Sequence, residues 1–223
     1  LAVRAAKLLA EHPEIDAAVS LHITKRIPIA GGMAGGSADA AGTLIACDRL
    51  WETHTSREDL EGLAAELGSD VTFSLHGGTA LGSGRGEVLT SVITTGEYHW
   101  VIALAEGELS TPHVYREFDR LQVARPSGAL EIPTELLQAL RAGDCVQLGS
   151  ALSNDLEGVA VSVMPVLGKT LQAGLDLGAI GAMISGSGPT CVFHTRSHDH
   201  SVNLAASLSG AGVCRSVRIA SGP

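Results

Sequence analysis

The sequence predicts an α+β protein of two domains, 1–95 and 96–223, and three observations carry that expectation. A period-two alternation at 19–24 runs through a glycine loop into a helix of small apolar residues. Glycine-punctuated, strand-like segments follow between residues 77 and 93. The last half reads strand, helices, strand, glycine turn, strand, helix, strand, an order compatible with a split βαβ, ferredoxin-like domain. At 223 residues, 45% hydrophobic and 17% charged, the chain is long enough for two small domains and too apolar to be disordered.

Taken in order, Leu1, Ala5, Leu8 and Leu9 form one stripe, so residues 1–9 read as helix. A chain that opens inside a packed element, and not on methionine, suggests a segment upstream. Val19, Leu21 and Ile23 alternate with Ser20, His22 and Thr24, the pattern of a half-buried strand. After the glycine loop, Ser37 is placed to cap a helix whose apolar residues recur at Ala40, Ala41, Leu44, Ile45, Leu50 and Trp51. Ser56 is an N-cap candidate for a helix ending at Leu67, where Gly68 is placed to stop it. Short strands are expected around 79–81 and 88–93, and the apolar run 101–105 reads as a buried central strand. Helices are expected near 112–121, 133–142, 144–152, 164–176 and 200–209, and strands at 180–185, 190–194 and 213–219.

Composition removes several classes of function. Acids outnumber bases 24 to 15, for a net charge of −9, and aromatics are few. Without a basic surplus or stacking platforms, non-specific nucleic-acid binding is not expected. No apolar run approaches the roughly 18 to 20 residues of a membrane span. Cys47, Cys145, Cys191 and Cys214 lie far apart with no CxxC pair, and read as small buried hydrophobes in a reducing cytoplasm. His194, His198 and His200, with Asp199 between them, read as a solvated polar turn ahead of a helix in preference to a metal site. His99-Trp100 is expected to pack, and Arg215 and Arg218 to be solvated strand-end charges.

Most of the chemical information lies in 25–41, KRIPIAGGMAGGSADAA. A glycine loop entering a helix exposes backbone N–H groups where the helix dipole favours negative charge, so phosphate is its natural guest. Glycine lets the backbone approach that guest closely and tolerates positive φ. A Rossmann loop fails on Met33 after Gly32, and a Walker A loop fails because Ser37, not lysine, follows Gly36. A structural turn is the alternative reading. Ser37 has three possible roles: capping the helix, touching a phosphate oxygen, or ligating Mg²⁺.

The pattern Pro28-Ile29-Ala30-Gly31-Gly32-Met33-Ala34-Gly35-Gly36-Ser37-Ala38-Asp39-Ala40-Ala41 resembles the ATP loop of the GHMP kinases. Leu67-Gly68-Ser69-Asp70-Val71 is similar to that family's second motif, and Gly186-Ser187-Gly188-Pro189-Thr190 to its glycine-rich third. With Lys25-Arg26-Ile27-Pro28 ahead of the loop, the details look like the branch that phosphorylates a CDP-linked methylerythritol in non-mevalonate isoprenoid synthesis. Other members acting on homoserine, mevalonate or galactose, a related decarboxylase, and a non-catalytic nucleotide-binding module are the alternatives. The sequence departs from the family pattern at Ala38, Asp39 and Thr72. A carboxylate at 39 is awkward beside phosphates unless it faces Mg²⁺ or a base. The family's first motif, P-x-K-[IVL]-N, is absent from these residues, as are aromatics that would grip cytidine.

The resemblance implies a GHMP kinase-like two-domain fold, ATP and Mg²⁺ as cofactors, a small-molecule substrate, and the bacterial cytosol. It implies ATP binding by Lys25, Pro28, Ile29, Ala30, Gly31, Gly32, Met33, Ala34, Gly35, Gly36, Ser37 and Ala38, with Ser37 a possible Mg²⁺ contact. Asp70 is implied as the group that accepts or orients the acceptor's hydroxyl proton; read from the residues alone, it equally caps a turn. Gly186, Ser187 and Gly188 are implied as a substrate-side turn, though a hairpin connection needs no function. Lys25 is either a solvated strand end or, by resemblance, a nucleotide contact.

Overall fold

The computed structural model describes residues 1–11, 17–29, 31–122 and 133–223. The chain divides into two compact units: Leu1–Ile29 with Ala34–Val92, and the short segment 31–33 with Ile93–Pro223.

The first unit is helical. It contains α1 (Ala2–Glu11), α2 (Gly35–Trp51), α3 (Arg57–Leu67) and α4 (Ser69–His76), followed by the hairpin β1 (Ala80–Ser83) and β2 (Val88–Ser91). Its core joins Ala5 and Leu9 of α1, Ala40, Ala41, Leu44 and Cys47 of α2, Leu60, Leu63 and Leu67 of α3, and Val71 and Leu75 of α4. Small residues on α1 and α2 let these two helices approach closely, and Leu1, expected on the buried stripe, is 53% exposed. Ser56 caps α3 as expected, accepting the Asp59 N–H at 3.1 Å. Gly68, at φ 147°, ends α3 and opens α4 in one residue.

Two further expectations fail in this unit. Residues 19–24 form no strand, because a ladder needs a neighbour and none pairs with them among the described residues. Leu21 alone packs on the core, while Val19 and Ile23 are exposed. Ser37 is not the cap of α2: the helix begins at Gly35, two residues earlier, because Ala34 turns the chain in the left-handed region.

The second unit follows the split βαβ plan. Its elements are β3 (Tyr98–Leu104), α5 (Thr111–Gln122), α6 (Thr134–Ala142), α7 (Cys145–Ala151), α8 (Glu157–Val163), α9 (Val166–Asp176), β4 (Gly181–Ile184), β5 (Thr190–Thr195), α10 (His198–Ala211) and β6 (Ser216–Gly222). The sheet is antiparallel in the order β4-β5-β3-β6. The central β3 pairs on both sides, Val101 opposite Phe193 and Ile219, which is why its run is continuously apolar. The core gathers Val101, Ala103, Val114, Leu167, Ile184, Phe193, Leu204 and Leu208. The short helix α8 and the early start of α10 are unanticipated. Because α10 begins at His198 and β5 runs to Thr195, His194 is a fully buried strand residue and not part of a solvated turn. Its ring lies 4.6 Å from that of Trp100. Burial pushes the Cys191 thiol up to about 12. Of the four cysteines expected to be buried, Cys145 and Cys214 are only partly so.

Candidate functional site: the glycine loop and the Asp70 helix

In the first unit the site is built on the amino end of α2. Ala34 takes φ 48° and ψ 25°, a left-handed conformation that costs a non-glycine residue roughly 1–2 kcal/mol. The N–H groups of Ser37 and Ala38 both return to the Ala34 carbonyl at 2.9 Å. Helix geometry therefore leaves the N–H groups of Ala34, Gly35 and Gly36 without intrahelical acceptors, and no side chain caps them. That end carries the positive pole of the helix.

Lys25 is held at the same end. Its ammonium meets Asp39 Oδ2 at 2.5 Å and donates to the Gly35 carbonyl at 3.3 Å. A Cβ on Gly35 would lie 2.7 Å from Ile27 Cγ2, so the absence of a side chain is what lets 25–27 lie against the first turn of α2. The carboxylate at 39, awkward beside phosphates, thus faces a base. Pro28 is partly buried, Ile29 is 79% exposed, and Ala30 lies outside the described residues.

Asp70 occupies the first turn of α4, the helix that packs across α2. It is exposed, and the cap position belongs to Gly68, so Asp70 does not cap the turn. Its neighbour Val71 is fully buried and anchors that turn in the core. Arg57 donates to the Leu75 carbonyl at 2.9 Å, His76 meets Ser91 Oγ at 2.9 Å, and Ser69 Oγ donates to the Arg85 carbonyl at 3.0 Å. The helix is pinned along its length while the Asp70 carboxylate stays in solvent.

In the second unit, the segment 31–33 is tied to the turn between β4 and β5. Thr190 Oγ1 donates to the Gly31 carbonyl at 2.5 Å and Ser185 Oγ to the Gly32 carbonyl at 2.8 Å. A Cβ on Gly32, which sits at φ 68°, would lie 2.6 Å from the carbonyl oxygens of both Ser185 and Gly188. Only glycine fits there. The turn itself is braced by Asn154, whose amide donates to the carbonyls of Ile184 and Gly186, each at 2.7 Å. Ser187 is buried, with its hydroxyl 2.8 Å from that of Thr111. Of the turn residues 186–188, the structure shows hydrogen bonds within the second unit. The residues that grip the loop carbonyls are Ser185 and Thr190, flanking them. Sequence reasoning quoted Thr190 within the third motif without assigning it a role, and passed over Ser185 and Asn154. A hydroxyl on each side of a glycine turn was the available signal.

Among the described residues no three His, Cys, Asp or Glu side chains are grouped to hold a metal ion. No helix among them is long and apolar enough to cross a membrane.

The likeness to known proteins agrees with this arrangement. Residues 1–78 match the GHMP kinases N terminal domain and residues 136–214 the GHMP kinases C terminal domain. The chain is 53% identical over 226 residues to a 4-diphosphocytidyl-2-C-methyl-D-erythritol kinase of Mycolicibacterium gilvum, covering 100% of this chain and 70% of the relative. It is 52% identical over 223 residues to the kinase of the same name from Mycobacterium tuberculosis, again covering 100% and 70%. A crystal structure of 4-(cytidine 5'-diphospho)-2C-methyl-D-erythritol kinase superposes with a TM-score of 0.81 at 31% identity, covering 100% of this chain and 78% of that one. Homoserine kinase from Cytophaga hutchinsonii gives a TM-score of 0.80 at 18% identity, with 100% and 75% covered, which is a likeness of fold alone. A relative more than half identical across the whole of these 223 residues settles the kinship, and the chain belongs to the 4-diphosphocytidyl-2-C-methyl-D-erythritol kinase family of the GHMP kinases.

Proposed function

We propose that this chain carries the ATP-dependent phosphorylation of the 2-hydroxyl of 4-diphosphocytidyl-2-C-methyl-D-erythritol, in the bacterial cytosol. The observation that carries the reading is identity above 50% over the full chain to kinases bearing that substrate's name. Residues 1–95 serve as the domain of the ATP loop and 96–223 as the second domain.

Phosphoryl transfer asks a protein for positioning and charge stabilisation more than for covalent chemistry. The N–H groups at the start of α2, the segment 31–38 and the Lys25 ammonium bind the ATP phosphates. Pro28, Ile29 and Ala30 are assigned to the same ATP-binding segment. Asp70 accepts the proton of the acceptor hydroxyl as its oxygen bonds to the γ-phosphorus. The bond from that phosphorus to the β,γ-bridging oxygen breaks, and ADP leaves. The turn 186–188 is the substrate-side turn, and its flanking hydroxyls, Ser185 and Thr190, hold the carbonyls of Gly32 and Gly31. Magnesium supplies charge neutralisation on the transferring phosphate when bound. The lack of a carboxylate cage among the described residues fits an ion held chiefly by nucleotide phosphates and water, with Ser37 the one side chain assigned to it.

The test is ADP release by the full-length protein with the cytidyl substrate, homoserine and mevalonate compared. The cytidyl substrate is expected to give the highest kcat/KM; a higher value for either alternative overturns the reading. Asp70→Asn is expected to lower kcat by about 10²–10⁴-fold and leave the fold intact. Near-normal turnover would remove Asp70 from the mechanism.

A further inference from the structure

The hairpin β1–β2 bears an exposed arginine at its tip and is fastened to the helix that bears Asp70. Its tip has a defined shape: Gly84 and Gly86 take φ 68° and 98°, and the Gly86 N–H donates to the Ser83 carbonyl at 3.0 Å. Glu87 accepts the Arg85 N–H on Oε2 at 2.8 Å, and a Cβ on Gly84 would lie 3.1 Å from its Oε1. Hydrogen bonds from its own N–H and from that of Arg85 hold the Glu87 carboxyl below its ordinary range.

This tip is seated on α4. Ser69 Oγ donates to the Arg85 carbonyl at 3.0 Å, and a Cβ on Gly86 would lie 3.5 Å from Ser69 Cβ. At the far end of the helix His76 meets Ser91 Oγ at 2.9 Å, so the hairpin is fastened at both ends of α4. The anchor, Ser69, is the residue next to Asp70. The Arg85 side chain is 85% exposed, and the Glu87 carboxylate stands 3.7 Å from its Nε, well beyond the ~2.7–2.9 Å of a charge-assisted hydrogen bond. Arg57 in the same unit is engaged by Glu61 at 2.6 Å and by the Leu75 carbonyl at 2.9 Å. Arg85 is therefore an exposed guanidinium on a backbone fixed to Ser69, the residue that precedes Asp70, with its fork of donors still available.

We propose that Arg85 binds the diphosphate of the phosphoryl acceptor, a nucleoside-diphosphate-linked alcohol, while Asp70 acts on that acceptor's hydroxyl. This rests on the reading of Asp70 given above. The guanidinium matches phosphate oxygens two at a time and stays charged at every working pH. The glycine loop already offers its N–H groups to the nucleotide donor, and an exposed cation whose backbone is anchored on the helix of Asp70 serves the partner on which Asp70 works. An acceptor bearing a diphosphate brings negative charge to a carboxylate, and Arg85 offsets the repulsion.

The test uses full-length protein with Arg85→Ala, Arg85→Lys and Asp70→Asn, each checked by thermal unfolding. Arg85→Ala is expected to raise the acceptor KM about ten-fold or more, the loss of a charged hydrogen bond. The ATP KM should stay within about two-fold, with Arg85→Lys intermediate. Inhibition by cytidine diphosphate should weaken in Arg85→Ala, whereas inhibition by cytidine should not. An unchanged acceptor KM, or a loss that falls on the ATP KM instead, overturns the proposal. Turnover surviving in Asp70→Asn defeats the assignment of Asp70 itself, whatever Arg85 does, so the two failures are told apart.

Discussion

Lys25 and Asp39 illustrate how single residues are placed against the local field. An ammonium at the amino end of a helix opposes the macrodipole, and Asp39 holds Lys25 there at 2.5 Å. With the two side chains 33% and 26% exposed, the pair contributes only about 0–1 kcal/mol to stability. In the proposed reading its role is to position the ammonium for an incoming phosphate. Asp39→Asn is therefore expected to raise the ATP KM several-fold with kcat kept and the melting temperature nearly unchanged. Lys25→Ala should do the same, and the double substitution should add little, since both act through one ammonium. Additive losses in steady-state kinetics would show that the residues act separately. The sequence shows that a carboxylate at 39 requires a base or a metal ion, but not which. The partner lies 14 residues earlier, and only the close packing of Ile27 on Gly35 brings it into reach.

At the scale of elements, signals local to the chain were legible and those needing a neighbour were not. Ser56, Gly68 and the apolar run of β3 carry their caps and burial in a few adjacent residues, and each is found as expected. The alternation at 19–24 has the right period but no partner strand, so it forms no ladder. The helix α4 is eight residues long, too short to show a period, and it is its packing on α2 and α3 that sustains it. The loop motif was legible for the same local reason as the caps, whereas Ser185 and Thr190 grip Gly32 and Gly31 from more than 150 residues away. The strand β5 also sets a pH dependence. His194 is fully buried against Trp100, with Nδ1 3.1 Å from the His99 carbonyl and Nε2 without a partner. Burial holds its pKa below the ordinary 6.5, so the folded state keeps it neutral while the unfolded chain protonates it. The unfolded state then binds more protons below pH about 6.5, and stability falls on acidification until the lower folded pKa is reached. The slope is at most about 1.4 kcal/mol per pH unit. Denaturant unfolding between pH 7.5 and 5 should show it, and His194→Gln should flatten it. An equal slope in that variant would assign the effect elsewhere.

Over the whole molecule, a net charge of −9 stands against two anionic substrates. Fold class was legible because the order of elements in 96–223 admits the β4-β5-β3-β6 sheet, and because three motifs lie in the order of one family. Charge balance is a property of the surface as a whole and places no atom, so it reaches function only through solution behaviour. In the proposed reading the attraction for phosphate is local, carried by the N–H groups at the start of α2 and by Lys25 with its neighbour Arg26, against a chain of 24 acids and 15 bases. At ionic strength of about 0.01 M the Debye length is about 30 Å and the distant acids repel ATP; at 0.15 M it is about 8 Å and chiefly the near groups are felt. Added salt should therefore remove repulsion before it removes attraction. The association rate of a fluorescent ATP analogue, followed by stopped flow, is expected to hold or rise modestly, by up to about three-fold, across that range. A basic nucleotide-binding surface does the opposite and loses rate steeply with salt. A ten-fold fall here would mean that the cationic field around the loop extends well beyond Lys25 and Arg26, and that the excess of acids lies on surfaces the nucleotide never approaches.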